Sequence, residues 1–143
     1  MIFCDTSAMA KYYVPESGSA AVRTRLDAEE QVLASELARA ELMAVFHRRL
    51  REGTWRRADF QAVVRQFKKD DIGGQWTWMP LDSGIMEQVA RTYDTLPETV
   101  FLRTADCIHL VSALQCGLAE IHTHDRHQAL AAQPLGLEAV EIG

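Results

Sequence analysis

The sequence predicts one α/β domain with a mostly parallel β-sheet. Short apolar runs alternate with longer stretches of helical periodicity along the whole chain, an order typical of parallel strands covered by helices. The chain has 143 residues, a length typical of one domain, and 48% of them are hydrophobic, which is enough to form a core. No repeat, low-complexity tract or linker divides it. We therefore expect a single domain over residues 1–143.

The first half of the chain is predicted to contain two strands and four helices. The strands are Ile2–Cys4 and Gln31–Ala34, and the helices are Ser7–Tyr13, Gly18–Glu29, a helix capped by Ser35 that runs to Arg51, and a basic helix from Trp55 to about Asp71. Pro15 separates the first two helices because its ring cannot continue a helix. Gly53 ends the third helix, and the pair Gly73-Gly74 ends the fourth.

The second half is predicted to add three strands and three helices. The strands are Trp76–Leu81, Ala119–His124 and Leu137–Ile142, and the helices are one capped by Asp82 that runs to about Thr95, one capped by Thr104 that runs to Cys116, and Arg126–Ala132. Asp82 and Thr104 are predicted N-caps because their side-chain oxygens can accept backbone N–H groups. Gly117 closes the second of these helices, as glycine often does.

Composition excludes several classes of protein. No apolar run approaches the ~18 residues that span a bilayer, and the apolar run Met1–Cys4 is too short for a signal-peptide core. Three cysteines without a CxxC pair predict neither a disulfide framework nor a zinc site. We therefore expect a cytoplasmic protein that does not associate with membranes.

Charge is distributed unevenly along the chain. The net charge is −5, yet residues 47–69 contain eight basic residues against two acidic ones. The remaining 120 residues contain seven basic and 18 acidic residues. Such asymmetry indicates a basic face beside an acidic region, a pattern typical of nucleic-acid binding, although a solvated pair of helices also explains it.

Two acidic residues directly follow predicted strands. Asp5 comes after the first strand, with Thr6 and Ser7 next, and Asp125 comes after the fourth. In open α/β sheets, ligands bind beyond the carboxyl ends of the strands. Both residues are therefore candidates for a functional site, and both could equally be N-caps of the helices that follow.

A third acidic residue, Glu41, lies on a predicted helix. Its neighbours at core-facing spacing are Leu37, Ala40, Ala44 and Val45. A carboxylate buried within this stripe requires a cation or hydrogen-bond donors. Alternatively, Arg39 or Arg48 pairs with Glu41, or the residue lies at the edge of the stripe.

The fourth acidic residue, Asp106, lies in the first turn of a predicted helix. The helix dipole favours an acid there, which is a sufficient structural reason for it. The helical spacing also places Asp106 on the same side as His109 and Leu110, so we expect it to point inward. His109 itself is expected to be packed or hydrogen-bonded rather than a general base.

If these four carboxylates meet, they require a common counter-charge. Two anions about 5 Å apart repel by roughly 3 kcal/mol at an effective dielectric constant near 20. Such a cluster must take up protons or bind a hard divalent cation. Oxygen ligands without thiolate or imidazole favour Mg²⁺ or Mn²⁺ over zinc.

Four blocks of the sequence resemble the PIN-domain family, in order and over essentially the whole chain. The blocks are Asp5-Thr6-Ser7-Ala8 after the first strand, Ser35–Leu42 around Glu41, Leu102–Leu110 around Asp106, and Thr123-His124-Asp125-Arg126. The likeness is greatest to the VapC-type toxins of bacterial toxin–antitoxin pairs. It implies an α/β/α sandwich with a mostly parallel central sheet of four to five strands.

The resemblance also implies an activity and partners. It implies a Mg²⁺- or Mn²⁺-dependent endoribonuclease with acidic metal ligands at Asp5, Glu41, Asp106 and Asp125 and a supporting hydroxyl from Thr6 or Ser7. It further implies a homodimer and a VapB-like antitoxin protein that blocks the site. Basic side chains of residues 47–69 would then contact RNA phosphates, and the candidates are Arg48, Arg49, Arg51, Arg56 and Arg57. Cys107 replaces the small residue usual after the third acid, which leaves open a redox-sensitive position.

Two other functions are compatible with the sequence. A non-catalytic PIN-like scaffold would bind RNA or protein without cleaving it. A zinc hydrolase would use His122, His124 and His127, because histidines two residues apart on a strand share a face. The HxHxD spacing departs by one position from that of metallo-β-lactamase-fold hydrolases, and the chain is short for their two-sheet fold.

Overall fold

Five short parallel strands and seven α-helices make up the fold in a computed structural model, which describes residues 1–143. The strands are β1 (Ile2–Phe3), β2 (Val32–Ser35), β3 (Trp76–Met79), β4 (Glu120–His122) and β5 (Glu138–Val140). The helices are α1 (Thr6–Tyr13), α2 (Ser19–Asp27), α3 (Leu37–Arg51), α4 (Arg57–Ile72), α5 (Ser83–Thr95), α6 (Thr104–Gln115) and α7 (Arg126–Ala132), followed by a 3₁₀ turn at Gln133–Leu135. No helix is both long enough and apolar enough to cross a bilayer.

The strands form two parallel ladders that meet at β1 and β4. One ladder has the order β1-β2-β3, and the other pairs β4 with β5. A parallel bridge between Cys4 and His122 joins the ladders, and the Asp5 N–H donates to the His122 carbonyl at 3.1 Å. The sheet order is therefore β3-β2-β1-β4-β5, which confirms the prediction of a mostly parallel sheet of four to five strands.

Both faces of the sheet are buried. Ile2 and Cys4 pack into a core with α1, α2, α3 and α4, whereas Phe3 between them packs into a second core with α5, α6 and α7. In β2, Val32 likewise faces the first core and Leu33 the second. Successive side chains of a strand point to opposite faces, so helices on both sides bury the whole sheet. This arrangement is the predicted α/β/α sandwich.

Helix α3 is fixed by aromatic contacts around Phe46, which is fully buried. The Phe46 ring lies 5.7 Å from Tyr13, 6.0 Å from Phe67 and 6.1 Å from Trp55, centroid to centroid. Trp76 is also buried here and donates from Nε1 to the Tyr13 hydroxyl at 2.8 Å. These rings connect α1, α3, α4 and β3.

The prediction of which α3 residues face the core was wrong. Ala40 and Ala44 are exposed, and Leu37 and Val45 are only half-buried. The helix instead buries the row Ala38, Leu42 and Phe46. Leucine and phenylalanine remove far more apolar surface from water than alanine does, so this row determines the rotation of the helix. Glu41 consequently lies at the edge of the buried face.

Several helix starts also differ from the prediction. Ser35 is the last residue of β2, although its Oγ still accepts the Leu37 N–H at 3.2 Å. Thr104 is the first residue of α6 rather than its N-cap, a position that Arg103 occupies. Helix α4 begins at Arg57, two residues later than predicted. Asp82 caps α5 as predicted, accepting the Ile85 N–H at 3.0 Å.

Candidate active site

One cavity of about 490 Å³ is lined by all four predicted acidic residues. Asp5 and Asp125 follow β1 and β4, the two adjacent strands at the middle of the sheet. Glu41 reaches the cavity from α3, and Asp106 reaches it from the first turn of α6. Residues far apart in the sequence thus share one surface depression at the carboxyl ends of the central strands.

Asp5 is the most deeply placed of these acids, with 4% of its surface exposed. Its Oδ1 accepts the Ser7 hydroxyl at 2.6 Å and the Ala8 N–H at 3.1 Å, so that Asp5 is also the N-cap of α1. Its Oδ2 accepts the Thr123 hydroxyl. Burial raises the pKa of Asp5, because these hydrogen bonds and the nearby His109 offset the loss of solvation only in part.

Glu41 is held by a hydroxyl and an imidazole. Its Oε1 accepts the Thr6 hydroxyl at 2.7 Å and lies 2.6 Å from His109 Nε2. An ionised carboxylate only accepts, so His109 carries a proton on Nε2. Burial alone would raise the pKa of Glu41, but the contacts with His109 and Thr6 outweigh it and hold that pKa below its usual range. His109 is thus a hydrogen-bonded residue of the site.

Asp106 and Asp125 share one cation, the guanidinium of Arg103. Arg103 Nε lies 2.7 Å from Asp106 Oδ2, and its NH2 group lies 3.2 Å from Asp125 Oδ2. Asp125 also caps α7, accepting two backbone N–H groups at Oδ1. Burial raises the pKa of Asp125, but these backbone hydrogen bonds and Arg103 outweigh it and lower that pKa below its ordinary value.

The hydroxyls of Thr6 and Ser7 lie among the acids, as the resemblance implies. Thr6 contacts Glu41, as described above, and lies 3.4 Å from His109 Nε2. Ser7 Oγ donates to Asp5 and accepts the His124 N–H at 2.8 Å. These two residues therefore orient the acids and connect the start of α1 to the segment after β4.

The predicted RNA-contacting arginines divide into two groups. Arg48 and Arg49 line the main cavity, and Arg48 and Arg51 line an adjoining cavity of about 400 Å³ that shares Thr6 and Glu41 with it. Arg49 pairs with Glu16 at 3.1 Å, whereas Arg48 and Arg51 have no acidic partner.

The other two arginines, Arg56 and Arg57, line neither of these cavities. Arg56 lies 3.6 Å from Asp59, and the Arg57 guanidinium lies 5.9 Å from the centroid of the Phe60 ring. Both are at the start of α4, which lies beyond the C-terminal end of α3 in the chain. Of the five predicted RNA-contacting arginines, those nearest the acids are therefore on α3.

The three histidines of the zinc alternative do not meet. His124 lines the main cavity, and His122 lines a different one together with Met1 and Leu118. His127 contacts the Phe101 ring, with the centroids 5.7 Å apart. In this structure, no group of three histidine, cysteine or acidic side chains is arranged to bind one metal ion. The zinc-hydrolase alternative is therefore not supported.

The acidic cavity suits a hard divalent cation by its donor chemistry. Five carboxylates line it, those of the four predicted acids and of Glu16, and no thiolate does. Oxygen donors of this kind prefer Mg²⁺ or Mn²⁺. As the side chains stand, no three of them form a group that could hold one ion. Arg103 occupies an oxygen of two of the acids, and Thr6 and His109 occupy one of a third. The donors fit the cation, provided that the contacts of Arg103 rearrange.

Cys107 is a buried core residue rather than part of the cavity surface. It is fully buried in the core that contains α5, α6 and α7. Burial raises the pKa of its thiol to about 11, so the unreactive protonated form predominates at neutral pH. The geometry gives no support to a redox-sensitive site at this position.

Two residues of the site, His109 and Arg103, were not predicted from the sequence to take part in it. Each lies three residues from Asp106, and residues so spaced are neighbours on a helix surface. That spacing could have indicated the contact of Arg103 with Asp106. The sequence carries no sign that His109 would reach Glu41, because 68 positions separate them.

Comparisons with known proteins identify the fold. A family model described as PIN domain matches residues 2–133. Among solved structures, the chain is similar to VapC20 of Mycobacterium tuberculosis, a sarcin-ricin loop cleaving toxin, with 14% identity and a TM-score of 0.69 over 92% of this chain and 95% of that chain. It is also similar to FitAcB from Neisseria gonorrhoeae, with 20% identity and a TM-score of 0.67 over 97% and 96% of the two chains. A comparison with curated protein sequences finds no match. The chain belongs to the PIN domain family.

Proposed function

We propose that this PIN domain is a Mg²⁺- or Mn²⁺-dependent endoribonuclease, acting as the toxin of a toxin–antitoxin pair. The observation that carries the proposal is the single cavity lined by Asp5, Glu41, Asp106 and Asp125 with arginines beside it. The likeness of the fold to a toxin that cleaves the sarcin-ricin loop also supports it. On this proposal the protein hydrolyses phosphodiester bonds of RNA.

In the proposed mechanism, the four acids would hold the cation, and their neighbours orient them. When bound, the cation would supply Lewis-acid chemistry, which activates water and stabilises charge on the phosphoryl group. Asp5 is fixed by Ser7 and Thr123, so its carboxylate has little freedom to turn. Glu41 is fixed by its contacts with Thr6 and His109. Such fixed ligands reduce the reorganisation that ion binding requires.

The arginines of α3 would bring RNA to this acidic surface. Four carboxylates repel a phosphate backbone unless cations offset them. Arg48 lines both cavities and Arg51 lines the outer one, and neither has an acidic partner. Their guanidinium groups are therefore free to contact phosphates on either side of the bond to be cleaved.

The decisive experiment incubates the pure protein with structured and unstructured RNA, with Mg²⁺ or with EDTA. We expect discrete fragments with Mg²⁺, none with EDTA, and recovery of cleavage when Mg²⁺ or Mn²⁺ is restored. Binding without fragments under all conditions would instead favour a non-catalytic PIN-like scaffold. Cleavage that persists in EDTA would contradict the metal-dependent mechanism.

We also propose two protein partners, a second copy of this chain and an antitoxin. The VapC-type resemblance implies a homodimer and a VapB-like antitoxin protein that covers the acidic cavity. A search for a small reading frame next to the gene, followed by its co-expression with this protein and purification, tests this partner. An antitoxin should co-purify with the toxin and suppress the cleavage seen with the toxin alone.

Removing Arg48 and Arg51 should weaken RNA binding and reduce its dependence on salt. Each lost phosphate contact lowers the slope of log K against log salt by about 0.7 on single-stranded RNA, so we expect a decrease of roughly 1.4 for the double Arg→Gln variant. Fluorescence anisotropy of a labelled RNA oligonucleotide, titrated at several salt concentrations in EDTA, measures this slope without cleavage. The control is Arg91→Gln, since Arg91 is exposed on α5 and its side chain hydrogen-bonds only to Gln88. An unchanged slope in the double variant would contradict the assignment.

A further inference from the structure

We infer that Arg103 is an internal counter-ion of the acidic cavity, which must leave Asp106 and Asp125 before a divalent cation binds there. This inference rests on the proposed function, because it concerns the same cation site. On this inference Arg103 lowers the affinity of the cavity for the metal ion. This role is distinct from binding the ion or contacting RNA.

The guanidinium occupies one oxygen of each of two acids. It lies 2.7 Å from Asp106 Oδ2 and 3.2 Å from Asp125 Oδ2. Asp125 Oδ1 is already used in capping α7, where it accepts the His127 and Gln128 N–H groups at 2.8 and 3.0 Å. Oδ2 is therefore the oxygen that Asp125 can offer a metal ion, and it is the one that Arg103 contacts.

The hydrogen-bond partners of Asp106 and Asp125 differ in charge from those of Asp5. Asp5 is satisfied by two hydroxyls and a backbone N–H, groups that can keep their hydrogen bonds while an ion binds a remaining lone pair. Asp106 and Asp125 are instead satisfied by a full positive charge. Because two cations repel each other at short distance, Arg103 and a divalent ion compete for the oxygens of Asp106 and Asp125.

The side chain of Arg103 is free to move without loss of the local fold. It is 49% exposed, and exposed ion pairs are weak. The neighbouring helices are held together by another residue: Gln128 is fully buried, and its Nε2 donates to the Asp106 carbonyl at 3.2 Å. The capping of α7 by Asp125 also remains when Arg103 leaves.

The test is the affinity of the whole protein for Mn²⁺ alone, measured by calorimetry for the wild type and for Arg103→Gln. Two exposed ion pairs no longer compete in the variant, so we expect its dissociation constant to be roughly 3- to 30-fold lower. The matched control is Arg48→Gln, which removes the same charge from the same cavity but releases no carboxylate. We expect a smaller gain there than in Arg103→Gln.

A second variant and a second measurement separate this role from a structural one. Arg103→Lys keeps the charge but has a single ammonium in place of the fork that spans both acids, so its affinity should lie between those of the wild type and Arg103→Gln. This variant decides the question if Arg103→Gln does not fold. A purely structural clamp predicts a lower melting temperature with no gain in Mn²⁺ affinity, and that result would overturn the inference.

The remaining outcomes distinguish this inference from the proposed function. Equal Mn²⁺ affinity in the wild type and Arg103→Gln would overturn the inference and leave the metal-dependent function standing. An equal gain in Mn²⁺ affinity in Arg48→Gln and Arg103→Gln would show that loss of any positive charge from the cavity is sufficient. That result would also overturn the inference. Failure of every variant to bind Mn²⁺ or Mg²⁺ would overturn both.

Discussion

Replacing Asp106 by asparagine is expected to slow RNA hydrolysis by at least about 100-fold, the effect typical of removing one charged or electrostatic group from a reacting centre. The proposed mechanism needs the negative oxygens of Asp106 for the cation, and an amide offers only one neutral acceptor. The fold should persist, because the only side-chain partner of this carboxylate is Arg103. Initial rates of cleavage at saturating Mg²⁺ measure the loss, and circular dichroism verifies the fold.

The matched control for that substitution is Asp94→Asn. Asp94 is an exposed aspartate on α5, outside the acidic cavity. The change removes the same charge from the protein, so we expect the cleavage rate to stay within about twofold of wild type, in line with the small effects of surface substitutions. Mg²⁺-dependent cleavage by Asp106→Asn at the wild-type rate would contradict the proposed metal ligands.

Replacing Phe46 by alanine is expected to lower the free energy of unfolding by about 3–5 kcal/mol, since a fully buried phenylalanine leaves a cavity that its neighbours fill only in part. Phe46 contacts rings from α1 and α4, so the substitution loosens the helix that carries Glu41 and Arg48. Urea denaturation followed by circular dichroism measures the change.

Phe101→Ala serves as the control for this second substitution. Phe101 is 66% exposed, so its truncation should change the free energy of unfolding by no more than about 0.5 kcal/mol. Similar losses in the two variants would mean that the ring cluster around Phe46 does not determine the position of α3.

Two helix starts were predictable from a single aspartate. Helices α5 and α7 follow Asp82 and Asp125, whose carboxylates accept backbone N–H groups of the first turn. Strand β3 was predicted to run to Leu81 but ends at Met79. Pro80 follows, and a proline has no N–H to give to a ladder, so the sequence did contain a reason for the shorter strand.

The face of α3 could not be predicted as well. Counting apolar positions gave weight to Ala40 and Ala44, whereas the buried row contains Leu42 and Phe46. Which of two overlapping stripes is buried depends on the shape of the opposite surface, here the rings of Tyr13 and Phe67. A single sequence does not describe that surface.

The acidic residues of the site could be located, but their contacts could not. The positions of Asp5 and Asp125 after strands place them on the ligand-binding edge of any parallel sheet. The contact between Glu41 and His109 depends on how α3 and α6 pack, and the sharing of Arg103 depends on the approach of β4 to β1. These are products of the assembled tertiary structure.

The junction between the two ladders has a consequence for how the protein is made. Strands β1, β2 and β3 all lie within the first 79 residues, whereas β4 and β5 begin at Glu120 and Glu138 and leave the ribosome later. A nascent chain of that length already contains Asp5 and Glu41 but lacks Asp106 and Asp125. On the proposed function, the nascent chain therefore lacks two of its four metal ligands until residues 106 and 125 have been translated.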